Sequence, residues 1–175
     1  GPNHLHGGSK GFANQLWESR VEENRVVMEL FSPEGDQGYP AMMQAEVVFD
    51  FDDDNSLEIT YRAASDRTTV VNLTNHLYFN LDGESSGSIL DHELQLNASR
   101  VCEMNGKQLP TGRMVEVADT VMDFSEFRPL RPGLESDFNH LDDYDGFDHP
   151  FAVEDWQPNI LREVGRLRSP RSGRE

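Results

Sequence analysis

Ala45-Glu46-Val47-Val48-Phe49-Asp50-Phe51, then Asp52-Asp53-Asp54-Asn55-Ser56, then Leu57-Glu58-Ile59-Thr60-Tyr61-Arg62, is the stretch whose reading decides the fold. Ala45, Val47, Phe49 and Phe51 fall on one side of a period-2 pattern, and Leu57, Ile59 and Tyr61 do so against Glu58, Thr60 and Arg62. The Asp/Asn/Ser cluster between them is turn chemistry, so the stretch predicts a β-hairpin. Working outward, Val26, Met28 and Leu30 alternate in an earlier strand ended by Ser32-Pro33-Glu34-Gly35, and Leu94, Leu96 and Ala98 alternate in a later one. Residues 68–73 form a more continuous β-branched run, which predicts a central strand buried on both faces and delivering His76 at its end. Beyond Arg100, glycines and prolines break the chain into loops. There we expect one short helical turn near Ser125, an acidic turn over 142–150, a strand starting at Phe151 and a last strand over 161–167. Helical periodicity is almost absent and no repeat of solenoid length occurs, so the fold class is all-β, part of a large sandwich.

Length and composition bound the rest. The 175 residues suit one domain, 1–175, with a core of ordinary size. A formal charge of -17 would repel phosphate backbones and anionic bilayers, so neither nucleic acid nor a membrane is expected as a partner. No apolar run reaches bilayer-spanning length, and Cys102, the single cysteine, has no partner for an internal disulfide. A cytoplasmic location is expected; no oligomeric state is assigned.

Chemistry concentrates in two histidine segments, Asn3-His4-Leu5-His6-Gly7-Gly8 and Asn72-Leu73-Thr74-Asn75-His76-Leu77-Tyr78-Phe79-Asn80-Leu81. Imidazole titrates near pH 6.5, so two of them in one cleft can give and take protons at neutral pH. The glycines after His6 let the backbone turn closely beside a ligand. Structural readings compete: His76 has Asn72, Thr74, Asn75 and Asn80 nearby as hydrogen-bond partners, and Trp17 and the Tyr78-Phe79 pair suit a core. A metal reading would join His4 and His6 to a third ligand. A cupin-like acid after the second histidine is missing, since Ser9, Lys10 and Gly11 stand there. Asp148, between Phe147 and His149, is an aspartate in a loop that could accept hydrogen bonds from ligand hydroxyls, or an ordinary turn residue.

Taken in order, Asn3-x-Leu5-His6-Gly7-Gly8-x-x-Gly11-Phe12 with Trp17, Gly35-x-x-Gly38-Tyr39-Pro40, the second histidine segment, Leu109-Pro110-Thr111-Gly112 and Gly146-Phe147-Asp148-His149 resemble the aldose 1-epimerases, or galactose mutarotases. The resemblance covers nearly the whole chain, with Leu77 a departure where the family more often has a small residue. It implies a β-supersandwich, no cofactor and no resident metal, and a small aldose such as galactose or glucose as partner. The implied activity is interconversion of its α and β anomers through ring opening. By that resemblance His76 is the general acid at the ring oxygen and His6 binds and polarises the sugar beside it. Asp148 and Asn75 are the remaining expected sugar-binding side chains. The family's general base, a glutamate in a Leu-Glu-x-Gln segment, and its first strands are expected outside residues 1–175, so the chain corresponds to the middle of such an enzyme. Alternatives are a sugar-binding module without catalysis, a hexose-6-phosphate 1-epimerase and, from the histidines alone, a metal-dependent β-fold enzyme.

Overall fold

The computed structural model describes residues 3–136 and 146–175. Its architecture is all-β, with antiparallel sheets, short 3-10 turns and a single α-helical turn among the described residues. Two compact units divide the chain, residues 1–77 and 78–175.

The first unit is a four-stranded meander in chain order: β1 (Glu18–Glu22), β2 (Arg25–Ser32), β3 (Met43–Phe51) and β4 (Leu57–Ser65). The expected hairpin is β3–β4, with Phe51 opposite Leu57 and Val47 opposite Tyr61. Directly opposed residues share a face. One face therefore carries Leu30, Ala45 and Ala63 in one row, Met28, Val47 and Tyr61 in the next, then Val26, Phe49 and Ile59. Ala45, fully buried, and Leu30 anchor that face. The other face holds Arg62 opposite Glu46 and Arg25 opposite Asp50, ion pairs of 2.5 and 2.7 Å. Exposed pairs of this kind contribute at most about 1 kcal/mol each. Their larger consequence is negative: a one-residue slip would drive these charges into the apolar face.

Residues 68–73 depart from expectation. They belong to no strand among the described residues, and Val70 and Val71 are exposed. β-branched side chains favour extended dihedrals, but a strand also needs a hydrogen-bonding neighbour, and this run has none in either sheet edge described.

The second unit contains two three-stranded sheets. One has the order β10-β5-β8, from β5 (Glu93–Leu96), β8 (Arg128–Pro129) and β10 (Gly165–Arg168). The other has the order β7-β6-β9, from β6 (Arg100–Met104), β7 (Pro110–Glu116) and β9 (Phe151–Ala152). The strand expected at 161–167 is thus confined to its end and starts only at Gly165, with 161–164 unpaired in any ladder. Ala98 is buried but lies beyond the end of β5. The helical turn is α1 (Arg131–Leu134), not at Ser125; Pro132 sits in its first turn, where a missing N–H costs nothing. At Ser125 the backbone N–H and hydroxyl instead bond Asp123 Oδ1, a local turn that competes with helix. Of the acidic turn expected at 142–150, residues 142–145 lie outside the described residues.

The core of this unit joins Val101, Val117 and Met122 to Phe147 and Phe151. Phe124, 1% exposed, meets the Phe147 and Phe151 rings edge-on at 5.1 and 6.2 Å. Phe124→Ala should therefore cost about 3–5 kcal/mol, read as a lowered denaturation midpoint in urea.

Candidate functional site

The first histidine loop is built by backbone conformations that few residues tolerate. His6, Gly7 and Gly8 all have positive φ, at 52, 80 and 95°, which folds the chain back on itself. Gly8 N–H donates to the Leu5 carbonyl at 3.1 Å and Gly11 N–H to the Gly8 carbonyl at 3.3 Å. Gly11 is buried so tightly that a Cβ there would stand 1.9 Å from the His6 carbonyl oxygen. Trp17 closes the loop as its indole N–H donates to the Phe12 carbonyl at 2.9 Å, so its part is structural.

A second loop holds the first. Gly35 and Gly38, both left-handed, set the turn of the Gly35-x-x-Gly38-Tyr39-Pro40 motif. Gln37 Oε1 accepts the Lys10 N–H at 3.1 Å and the Ser9 hydroxyl at 3.3 Å. Asp36 Oδ2 accepts the Gln15 amide at 3.0 Å and the Ser32 hydroxyl at 2.8 Å. Those two bonds hold the Asp36 carboxyl below the usual carboxylate range. Tyr39 takes up His4, ring against ring at 5.5 Å with Nδ1 and Oη 3.3 Å apart.

These restraints leave His6 facing His76. Their ring centroids are 5.8 Å apart, edge to face, and both residues are exposed to solvent. At that separation a single small oxygen can come within hydrogen-bond reach of both rings. Asn75 adjoins the pair: its Nδ2 donates to Tyr61 Oη at 2.8 Å, and its Oδ1 accepts the Leu77 N–H at 3.2 Å. Leu77 is exposed beside them. His4 and His6 are turned to different partners, and among the described residues no three His, Cys, Asp or Glu side chains gather in a metal-holding group.

Asp148 belongs to the second unit. Phe147 before it is wedged on Gly133, whose Cβ would lie 2.5 Å from the Phe147 ring, and Pro150 after it accepts the Cys102 N–H at 2.9 Å. Between these anchors the Asp148 side chain stays exposed. Cys102 itself is a half-buried free thiol.

Sequence reasoning passed over several residues that do the holding. Gln37 and Asp36 carry no motif chemistry of their own. Tyr61 reads only as a strand residue. His92, 1% exposed, accepts the Leu81 N–H on Nε2 at 3.0 Å, a structural bond to the far end of the second histidine segment. The one available signal was its position immediately before the Glu93-Leu94-Gln95-Leu96 alternation.

Comparison with known proteins follows the same lines. The family described as aldose 1-epimerase matches residues 1–175. Galactose mutarotase of Bos taurus is 40% identical over 156 residues, covering 88% of this chain and 43% of that protein. Aldose 1-epimerase of Escherichia coli strain K12 is 38% identical over 158 residues, covering 88% and 44%. The crystal structure of galactose 1-epimerase from Lactobacillus acidophilus NCFM aligns with a TM-score of 0.82 at 31% identity, over 95% of this chain and 48% of that one. The chain thus spans a little under half the length of these relatives.

Two outcomes follow from the loop geometry. Gly11→Ala should displace the His6 carbonyl, lose about 1–3 kcal/mol of stability and weaken the nuclear Overhauser contact between the His6 and His76 rings. Asp36, with its folded pKa depressed, stabilises the fold above the unfolded carboxylate value of about 3.9. That contribution disappears as the pH falls through the lower folded value, so Asp36→Asn should flatten the acid limb of a stability-against-pH curve.

Proposed function

Because the chain belongs to the aldose 1-epimerase family and turns two imidazoles toward each other, we propose that the protein carrying it interconverts the α and β anomers of a hexose. The observation that carries this reading is the His6–His76 pair, two imidazoles with ring centroids 5.8 Å apart, held by separate restraints. His76 acts as the general acid, protonating the ring oxygen. A base removes the O1 proton; by family resemblance it is a glutamate in a Leu-Glu-x-Gln segment. The C1–O5 bond breaks to an open-chain aldehyde, C1 turns about the C1–C2 bond, and the reverse transfers close the ring on either face. His6 binds and polarises the sugar near the same oxygen. Asn75 keeps a second amide N–H for a hydroxyl, and Asp148, exposed and firmly anchored, accepts hydrogen bonds from ring hydroxyls.

Galactose or glucose is the proposed substrate, in keeping with the relatives named galactose mutarotase. The whole of 1–175 is proposed to be part of one supersandwich domain. We place the protein in the cytoplasm, where the free thiol of Cys102 would stay reduced. Among the described residues no helix is long and apolar enough to cross a membrane.

Polarimetry tests the activity directly: the protein should speed the equilibration of fresh α-galactose or α-glucose, and a rate equal to buffer alone sinks the proposal. His76→Ala should lower kcat by about 10²–10⁴-fold with a much smaller change in KM. Unchanged turnover would remove the assignment of His76 as the acid.

A further inference from the structure

We propose that Tyr61 is a positioning residue for the His6–His76 pair, acting through the Asn75 side chain. The inference rests on the reading of the two histidines as the sugar-binding and proton-transferring groups, and it starts from a difficulty in the fold. Residues 68–77 form no strand among the described residues, so no β-ladder sets where His76 stands. Side-chain bonds beside it contribute to its placement, and Asn75 supplies two at once. Its Oδ1 reaches across His76 to the Leu77 N–H at 3.2 Å, fixing the local turn, while its Nδ2 is tied to Tyr61 Oη at 2.8 Å.

Tyr61 suits this part because its own position is not adjustable. It lies mid-strand in β4, opposite Val47, half-buried on the apolar face. The ring is held by burial and the hydroxyl projects from it as a fixed donor or acceptor. The chain that locates His76 thus runs from the β3–β4 register to the phenol, to the amide, to the backbone on either side of the imidazole. His6 is located independently by the Gly11 contact and by Gln37. The 5.8 Å ring separation is the result of two restraint systems meeting, and Tyr61 is the root of one.

Removing only the hydroxyl tests this, since the ring keeps its burial. Tyr61→Phe should lower kcat about 10-fold to 100-fold, the scale expected when a reacting group shifts by about an ångström, and leave KM within about 3-fold. It should also weaken the nuclear Overhauser contact between the His6 and His76 rings while the thermal midpoint stays close to wild type. Asn75→Ala should lower kcat at least as much and raise KM as well, since it also removes the Leu77 bond and the amide offered to a hydroxyl, and the double variant should lose no more than Asn75→Ala alone, because both interrupt one route. A Tyr61→Phe protein with wild-type kcat and an intact ring contact overturns the positioning role and leaves the proposed activity standing. If the wild-type protein does not speed anomer equilibration, the activity falls, and the ring contact in Tyr61→Phe still decides the positioning role.

Discussion

The register of β3 against β2 and β4 is the constraint on which the first unit depends. Side chains alternate with a period of two, so a slip of one residue would exchange the two faces completely. In the observed register Ala45 meets Leu30 and Ala63 while Glu46 meets Arg62 on the opposite side. Slipped, β3 would set Glu46 and Asp50 among Leu30, Met28 and Tyr61 and turn Val47 and Phe49 toward Arg62 and Arg25, which trades ion pairs for unpaired charges. The same register decides that Tyr61 projects from the apolar face toward Asn75. The sheet therefore does more than supply a core: it carries the coordinate system in which His76 is placed.

Against that rigid frame, the first histidine is placed by conformational cost. A left-handed residue other than glycine is unfavourable by about 1–3 kcal/mol, and His6 is such a residue. Gln37, which holds this loop, is another. Both strained positions persist because neighbouring bonds over-determine them: Gly8 to Leu5, Gly11 to Gly8, Lys10 to Gln37, and Asp36 to both Gln15 and Ser32. Two motifs far apart in sequence, Gly7-Gly8-x-x-Gly11 and Gly35-x-x-Gly38-Tyr39, are thus one device: Gln37 of the second accepts the Lys10 N–H of the first, and Gln15 just beyond the first donates to Asp36 of the second.

What was legible in the sequence follows from which signals are local. The β3–β4 hairpin and β2 announce themselves because alternation and turn chemistry are properties of the residues themselves. Residues 68–73 mislead for the converse reason: Thr68, Thr69, Val70 and Val71 state a dihedral preference but say nothing about a pairing partner. The helical turn at Arg131 escaped because Pro132 and Gly133 read as breakers, although proline is well suited to a first helical turn. Of the site, His6 and His76 stood out by chemistry and motif. Their meeting did not, because it depends on bonds spanning 14 and 27 residues, from Tyr61 to Asn75 and from Lys10 to Gln37. His92 was invisible for a related reason: its value lies in burial and in one backbone N–H eleven residues away.

The second histidine segment shows how a fold can fix a residue without placing it in regular structure. At its start Asn75 ties it to Tyr61 in the first unit. At its end, within the second unit, Leu81 offers its N–H to His92 and its carbonyl to Ser172 and Arg174, while Asp82 accepts the Ser169 hydroxyl. That hydroxyl keeps the Asp82 carboxyl below its ordinary range, with the Ser172 hydroxyl adding to the effect. A ladder strand spreads its restraint over many equivalent backbone bonds, so loss of one side chain moves it little. Here the restraint is carried by a few individual side chains, each with its own geometry. The segment is consequently sensitive to single substitutions at places that touch no ligand, and free of the requirement that its own residues alternate. That freedom allows Asn75, His76 and Leu77 to be exposed in succession, as no half-buried strand would permit.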